Sequence, residues 1–271
     1  MHSATHVSRS VFAAVLISAA TVCAQPTGGA ALDLQGKGAE ARQYFAKAIE
    51  AASTPQAKAQ AQRSMAMSYA FEGDCANTAK YEQLAIDYWA TAKDFYQQGE
   101  LADEAARVCI DSGDLDAAYQ WYKKGHDLGL QEPDIKPNRK DLWEFRWEHA
   151  QARIAARRGN RAEAAKHVAA AKAILDRGVI DQSQAPFFPY LTGYVAFYTG
   201  DYKRALEDLQ KANQNDPFIQ CLLGQTYEKL GDKEKATECY RKAAQTTAHN
   251  PPAAYVHRFL RASADPRSAR P

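Results

Sequence analysis

The sequence predicts an all-α protein, an α-solenoid of stacked antiparallel helical hairpins, on three observations. Alanine is abundant and β-branched residues are sparse, which favours helix along most of the chain. A glycine followed by a polar residue recurs as Gly36-Lys37, Gly73-Asp74, Gly113-Asp114, Gly159-Asn160, Gly200-Asp201 and Gly231-Asp232. Apolar residues fall at helical spacing on both sides of each step. Ala205, Leu206, Leu209 and Ala212 form one stripe after Gly200, and Leu222, Leu223, Tyr227 and Leu230 another before Gly231.

From the N-terminus, the first 24 residues stand apart. Arg9 is their only fixed charge, an apolar run extends from Val11 to Val22, and small residues end at Ala24. That layout predicts a signal peptide over 1–24 and an exported protein, periplasmic if bacterial and otherwise secreted. A retained anchor and a lipid-modified Cys23 are the alternatives. Residues 25–35 are expected to form a flexible leader.

Residues 36–250 hold the repeats, about five to six units. A glycine can end one helix in the left-handed region at no steric cost. The Asp or Asn that follows can cap the next helix. Asn160 and Glu163 have the spacing of a capping box. Five residues after each glycine from Gly73 onward stands Thr78, Ala118, Ala164, Ala205 or Ala236. Twelve residues after it stands Ala85, Gly125, Ala171, Ala212 or Ala243. Such small residues mark close approaches between helices. Each unit therefore reads as helix, tight turn and antiparallel helix. The longer intervals at 127–142 and 176–185 are expected to be loops or helix extensions. A closing helix is expected over 251–263 to cover the last repeat, and a disordered tail over 264–271.

These residues resemble the tetratricopeptide repeat family, whose signature sets Leu-Gly, Tyr, Gly-Asp, Ala, an aromatic and Ala at fixed offsets. Residues 217–250 carry Leu223-Gly224, Tyr227, Gly231-Asp232, Ala236, Tyr240 and Ala243 in that register. The unit at 186–217 keeps Gly193, Gly200-Asp201, Ala205, Ala212 and Asp216-Pro217; that at 99–130 keeps Ala106, Gly113-Asp114, Ala118 and Tyr122. The resemblance covers roughly 36–262 and implies a right-handed superhelix whose first helices line a concave groove. Carried over residue by residue, it places Arg146, His149, Arg153 and Arg157 in that groove beside Phe187, Tyr190, Tyr194, Phe197 and Tyr198. It also places Arg63, Met67, Phe71, Asp103, Arg107, Gln225 and Lys229 there. Arginines pair with carboxylates and tyrosines supply rigid contact area, so an acidic or C-terminal segment of a protein or peptide is the implied partner. The same aromatics also suit packing between neighbouring helices, and Arg157 lies where it would favour the helix dipole.

The 271 residues carry 34 basic and 32 acidic side chains, a net charge of +2, which argues for no nucleic-acid partner. Beyond the N-terminal run, no stretch approaches transmembrane length. Gly36 to Ala41 satisfies a G-x-G-x-x-A pattern, but no strand precedes it, so no nucleotide site is expected. The chain shows no G-x-S-x-G, H-E-x-x-H, C-x-x-C or P-loop pattern. The expectation is a binding scaffold and not an enzyme, without cofactor or metal. A superhelical module of a cell-wall glycan-processing system and a homo-oligomeric structural protein are the rival readings. Antiparallel packing within one hairpin sets Cys221 opposite Cys239, a possible disulfide, and His149 opposite His167. Free, buried thiols are the alternative for the cysteines.

Overall fold

The computed structural model describes residues 28–264, and within them the chain is helical with no strand. Six hairpins follow one another: α1 (Gly29–Leu34) with α2 (Gly38–Ala51), α3 (Pro55–Ala70) with α4 (Cys75–Thr91), α5 (Phe95–Ser112) with α6 (Leu115–Gly129), α7 (Pro137–Arg157) with α8 (Arg161–Asp176), α9 (Phe187–Tyr198) with α10 (Tyr202–Leu209), and α11 (Pro217–Lys229) with α12 (Lys233–Ala243). A last helix, α13 (Pro251–Ala264), stands alone. Neighbouring helices pack in chain order, so the hairpins form an α-solenoid. Among the described residues no helix is long and apolar enough to cross a membrane. Residues 1–24, where the signal peptide is expected, and 265–271 lie outside the described residues.

The recurring step does the work its chemistry suggests. All six glycines have positive φ, 88° at Gly200, so an L side chain there would be strained. Asp74, Asp114, Asn160, Asp201 and Asp232 each accept a hydrogen bond from the backbone N–H three residues on. Each such cap contributes about 0.5–2 kcal/mol. Lys37 has no capping oxygen, which explains why the first copy of the step is the weakest in sequence. The small residues after the glycines are buried, with Ala118, Ala164, Ala171 and Ala205 fully so. At Gly193 a Cβ would stand 2.6 Å from Leu209 Cγ, so the missing side chain leaves room for Leu209 of the second helix to pack against the first.

The long interval at 127–142 is absorbed mainly by α7, which is 21 residues long. Trp143 on α7 fills the space left by Gly99 and Gly129, and its indole N–H donates to Glu132 Oε1 at 3.1 Å. The interval at 176–185 holds a 3-10 turn, Gln182–Gln184, and buries Ile180.

Three expectations are corrected here. The segment 25–35 is not wholly a flexible leader: Gly29–Leu34 is helical, packs on α2 and α3, and buries Asp33. The helix at the end covers more than the last repeat. α13 packs on α11 but also on α3 and α5, bringing the two ends of the solenoid together. Ala253 and Ala254 lie against Ala66, Met67, Ala70, Phe71 and Val108. Polar contacts join the same ends: His249 Nε2 is 2.8 Å from Asp33 Oδ2, Arg258 donates to the Asp111 carbonyl at 2.8 Å, and Arg261 to the Phe71 carbonyl at 3.1 Å. Finally, Cys221 and Cys239 are free, buried thiols, and the disulfide joins Cys75 to Cys109. Those two cysteines lie on α4 and α5, in different hairpins, so pairing within one hairpin does not foresee them.

Candidate functional site

Beside the start of α13, the concave face keeps a cavity of about 320 Å³ between α5, α7 and α9, bordered by Asn250, Pro251 and Pro252. Helical spacing builds its walls. Arg146, His149 and Arg153 lie three and then four residues apart, on one face of α7. Asp103 and Arg107 share a face of α5, and Phe187 and Tyr190 a face of α9, and all seven line the cavity.

The charges of this cavity are unevenly matched. Arg146 pairs with Glu100 and lies over the Trp143 ring, 5.0 Å from its centroid. Arg63 answers Glu104. Arg107 donates to Asp111 at 3.0 Å and stacks over Phe218 at 4.2 Å. Asp216 spends a carboxylate oxygen on the N–H groups of Phe218 and Ile219 at the start of α11. Arg153 has no carboxylate partner among the described residues. Its Nη2 donates to the Tyr122 hydroxyl at 2.7 Å, while Nε and Nη1 make no hydrogen bond. His149 Nε2 and the Tyr190 hydroxyl are likewise unpartnered. Arg153 is 5% exposed, His149 8% and Tyr190 5%, so these groups are largely withdrawn from water.

Burial governs the titration of the site. It pushes His149 well below the usual histidine range, with Arg153 and Arg107 adding to the effect, so the imidazole is neutral at pH 7. It pushes the Asp103 carboxyl up to about 7, against the pull of Arg146. The Tyr122 hydroxyl is pushed up to about 12 and stays protonated. An arginine does not lose its proton in a protein, so Arg153 holds a positive charge on the cavity wall.

Of the residues of α7 and α9 expected in the groove, Arg146, His149, Arg153, Phe187 and Tyr190 line the cavity. Arg157, Tyr194, Phe197 and Tyr198 do not. Tyr194 is fully buried, its ring stacked with Phe218, and Phe197 belongs to the same core cluster. Arg157 turns to Tyr198, with its Nη1 donating to the hydroxyl at 3.3 Å and its guanidinium 4.7 Å from the ring centroid. The physical reason is that Tyr194 and Phe197 point between neighbouring first helices, where Phe218 of α11 packs with them in one core. Met67 and Phe71 are also on the inner face, but beneath α13. His167 does not face His149's cavity; it bonds to Glu148 and Glu163. Among the described residues, no cluster of three or more His, Cys, Asp or Glu side chains could hold a metal. Tyr122, Asp216 and the Asn250-Pro251-Pro252 run escaped the sequence reading. Tyr122 lies on a second helix, and the other residues come to the site only through the approach of later elements.

Comparison with known proteins finds local similarity to repeats of one kind. The family model described as tetratricopeptide repeat matches residues 219–249, the α11–α12 hairpin. A TPR repeat-containing protein of Methanocaldococcus jannaschii is 35% identical over 71 residues, which are 26% of this chain and 22% of that relative. The match thus spans under a quarter of the relative's length. A crystal structure of nearly identical TPR-like repeats, from a Podospora anserina chain described as kinesin light chain-like, aligns with a TM-score of 0.41 and 13% identity, over 79% of this chain and 89% of that one. Repeats of this kind point to a protein-binding scaffold, typically without catalysis. One hairpin, residues 219–249, thus matches a tetratricopeptide repeat, and the same glycine step opens the second helix of every other hairpin in the chain.

Proposed function

We propose that the chain is an exported scaffold that binds an acidic or C-terminal segment of a protein partner at the open part of its concave face. The observation that carries this reading is the convergence of Arg146, His149, Arg153, Phe187 and Tyr190 on one cavity. Phe187 is 47% exposed, which gives the rim an apolar contact for a partner beside the Arg146 guanidinium. Export is supported by the layout of residues 1–24 and by the Cys75–Cys109 disulfide, since such bonds persist in oxidising compartments.

The test is capture of partners from the native exported fraction, comparing the wild-type chain with Arg146→Glu and Phe187→Ala. Both residues are at the rim, so circular dichroism should show unchanged helix content. Loss of the same partner from both variants supports the reading; equal recovery with all three proteins sinks it.

A further inference from the structure

The rim accounts for a protein partner, but the floor of the cavity presents a different chemistry. A buried guanidinium without a counter-ion is costly, and each unpartnered buried N–H adds to the cost. Arg153 has both features: its Nε and Nη1 make no hydrogen bond, and no carboxylate among the described residues forms an ion pair with it. His149 and Tyr190 line the same cavity, and the His149 Nε2 and the Tyr190 hydroxyl are likewise buried without a partner. Native proteins leave few buried polar groups unsatisfied, and a cluster of them at a cavity wall marks a place for a ligand.

The complement of this cluster is an anion able to accept several hydrogen bonds. The neighbouring acids do not fill that role. Glu100, Glu104 and Asp216 are committed to Arg146, Arg63 and the α11 cap, and Asp103, whose carboxyl burial pushes up to about 7, makes no ion pair with Arg153. Nor does a through-running peptide fit, because α13 occupies the concave channel beyond Pro251. A ligand on Arg153 must end within about 320 Å³, at the small end of the range of pockets that hold small molecules. The apolar walls, Phe145, Phe187, Pro251 and Pro252, suit a short carbon skeleton better than a bare ion.

We infer that this cavity is a binding site for a small free organic carboxylate, held through its carboxylate group by Arg153, with Tyr190 and His149 as hydrogen-bonding partners. The site goes beyond the protein-binding reading, because the rim meets a macromolecule and the floor holds a small molecule.

The test is isothermal titration calorimetry of the full chain with succinate, L-glutamate, inorganic phosphate and a peptide ending in two acidic residues. Saturable binding of succinate or L-glutamate is expected, with affinity weakened at least about tenfold in Arg153→Gln. Tyr190→Phe removes only a hydroxyl and keeps the packing, so it remains informative if Arg153→Gln does not fold. It should weaken binding by about threefold to tenfold. No saturable binding of either carboxylate up to about 10 mM, a range where even weak millimolar binding would register, overturns the proposal. Unchanged affinity in Tyr190→Phe and a folded Arg153→Gln overturns it too. Phosphate binding as tightly as the carboxylates would show an unselective anion site and overturn the carboxylate assignment. Binding of the peptide alone would also refute it, while leaving the protein-binding reading intact.

Discussion

One concave face is treated in two ways along its length. Under α3 and the C-terminal part of α5 the inner residues are apolar, Ala66, Met67, Ala70, Phe71 and Val108, and the chain covers them with its own α13. Across α7, α9 and the N-terminal part of α5 the inner residues carry arginines, carboxylates, histidine and tyrosine, and a cavity remains. The difference follows from the solvation of the two surfaces. An apolar groove gains roughly 25 cal/mol for each Å² that a helix removes from water, whereas covering ionised groups without partners costs several kcal/mol each. The filled half therefore serves stability, and the open half is where binding is proposed.

The largest expected effect tests the filled half. Phe71 is 2% exposed beneath α13, with its ring stacked on His249 and His257. Phe71→Ala should cost about 3–5 kcal/mol in a urea titration, as deletion of a core aromatic does. It should also loosen the contact between the ends of the solenoid, read as faster amide exchange in α1 and α13. A loss below about 1 kcal/mol would mean that α13 is not part of the cooperative core.

The open half should respond to pH instead. Asp103 has its carboxyl raised to about 7 by burial, above the ordinary 3.8, so the folded state holds a proton that the unfolded chain has released. Between pH 4 and 7 the unfolded state binds fewer protons, and stability falls as pH rises. Asp103→Asn should flatten that slope and be the more stable protein at pH 8, by on the order of 2 kcal/mol once solvent screening is allowed for. Urea midpoints at pH 5 and pH 8 for both proteins measure it. Parallel slopes would show that this acid is not forced to share a low-dielectric site with the arginines.

The smallest effect belongs to the wall that both halves share. Asp201 caps α10 by accepting from Arg204 N at 3.2 Å. Asp201→Ala should lower stability by about 1 kcal/mol and leave ligand binding untouched. A change in carboxylate or partner affinity in this variant would break the separation of wall from working face.

The wall was legible in sequence because its rules are local. Gly200 must leave the helix with positive φ, Asp201 must cap the next one, and Ala205 must let another helix approach. Those demands act within a dozen residues, so they recur as a visible pattern. The inner face was legible in part. Arg146, His149 and Arg153 follow from the helical period alone, whereas Tyr194 and Phe197 have the same period and end in the core. Which of two inward-pointing side chains meets solvent depends on the angle between neighbouring helices, and no local pattern carries it.

The cysteines make the same division. Cys75 and Cys109 pair across two neighbouring hairpins, while Cys221 and Cys239, symmetric within one hairpin, are free thiols. By itself, then, the amino-acid sequence determined the repeat, its caps and its close-contact positions, because backbone sterics and short-range hydrogen bonds specify them. The tertiary structure alone decided that α13 joins the two ends, through Asp33 and His249 and the apolar seat on α3 and α5, and thereby which stretch of the inner face stays open. Contacts between residues more than two hundred positions apart depend on the accumulated rotation of every hairpin between them, a sum that no single repeat encodes.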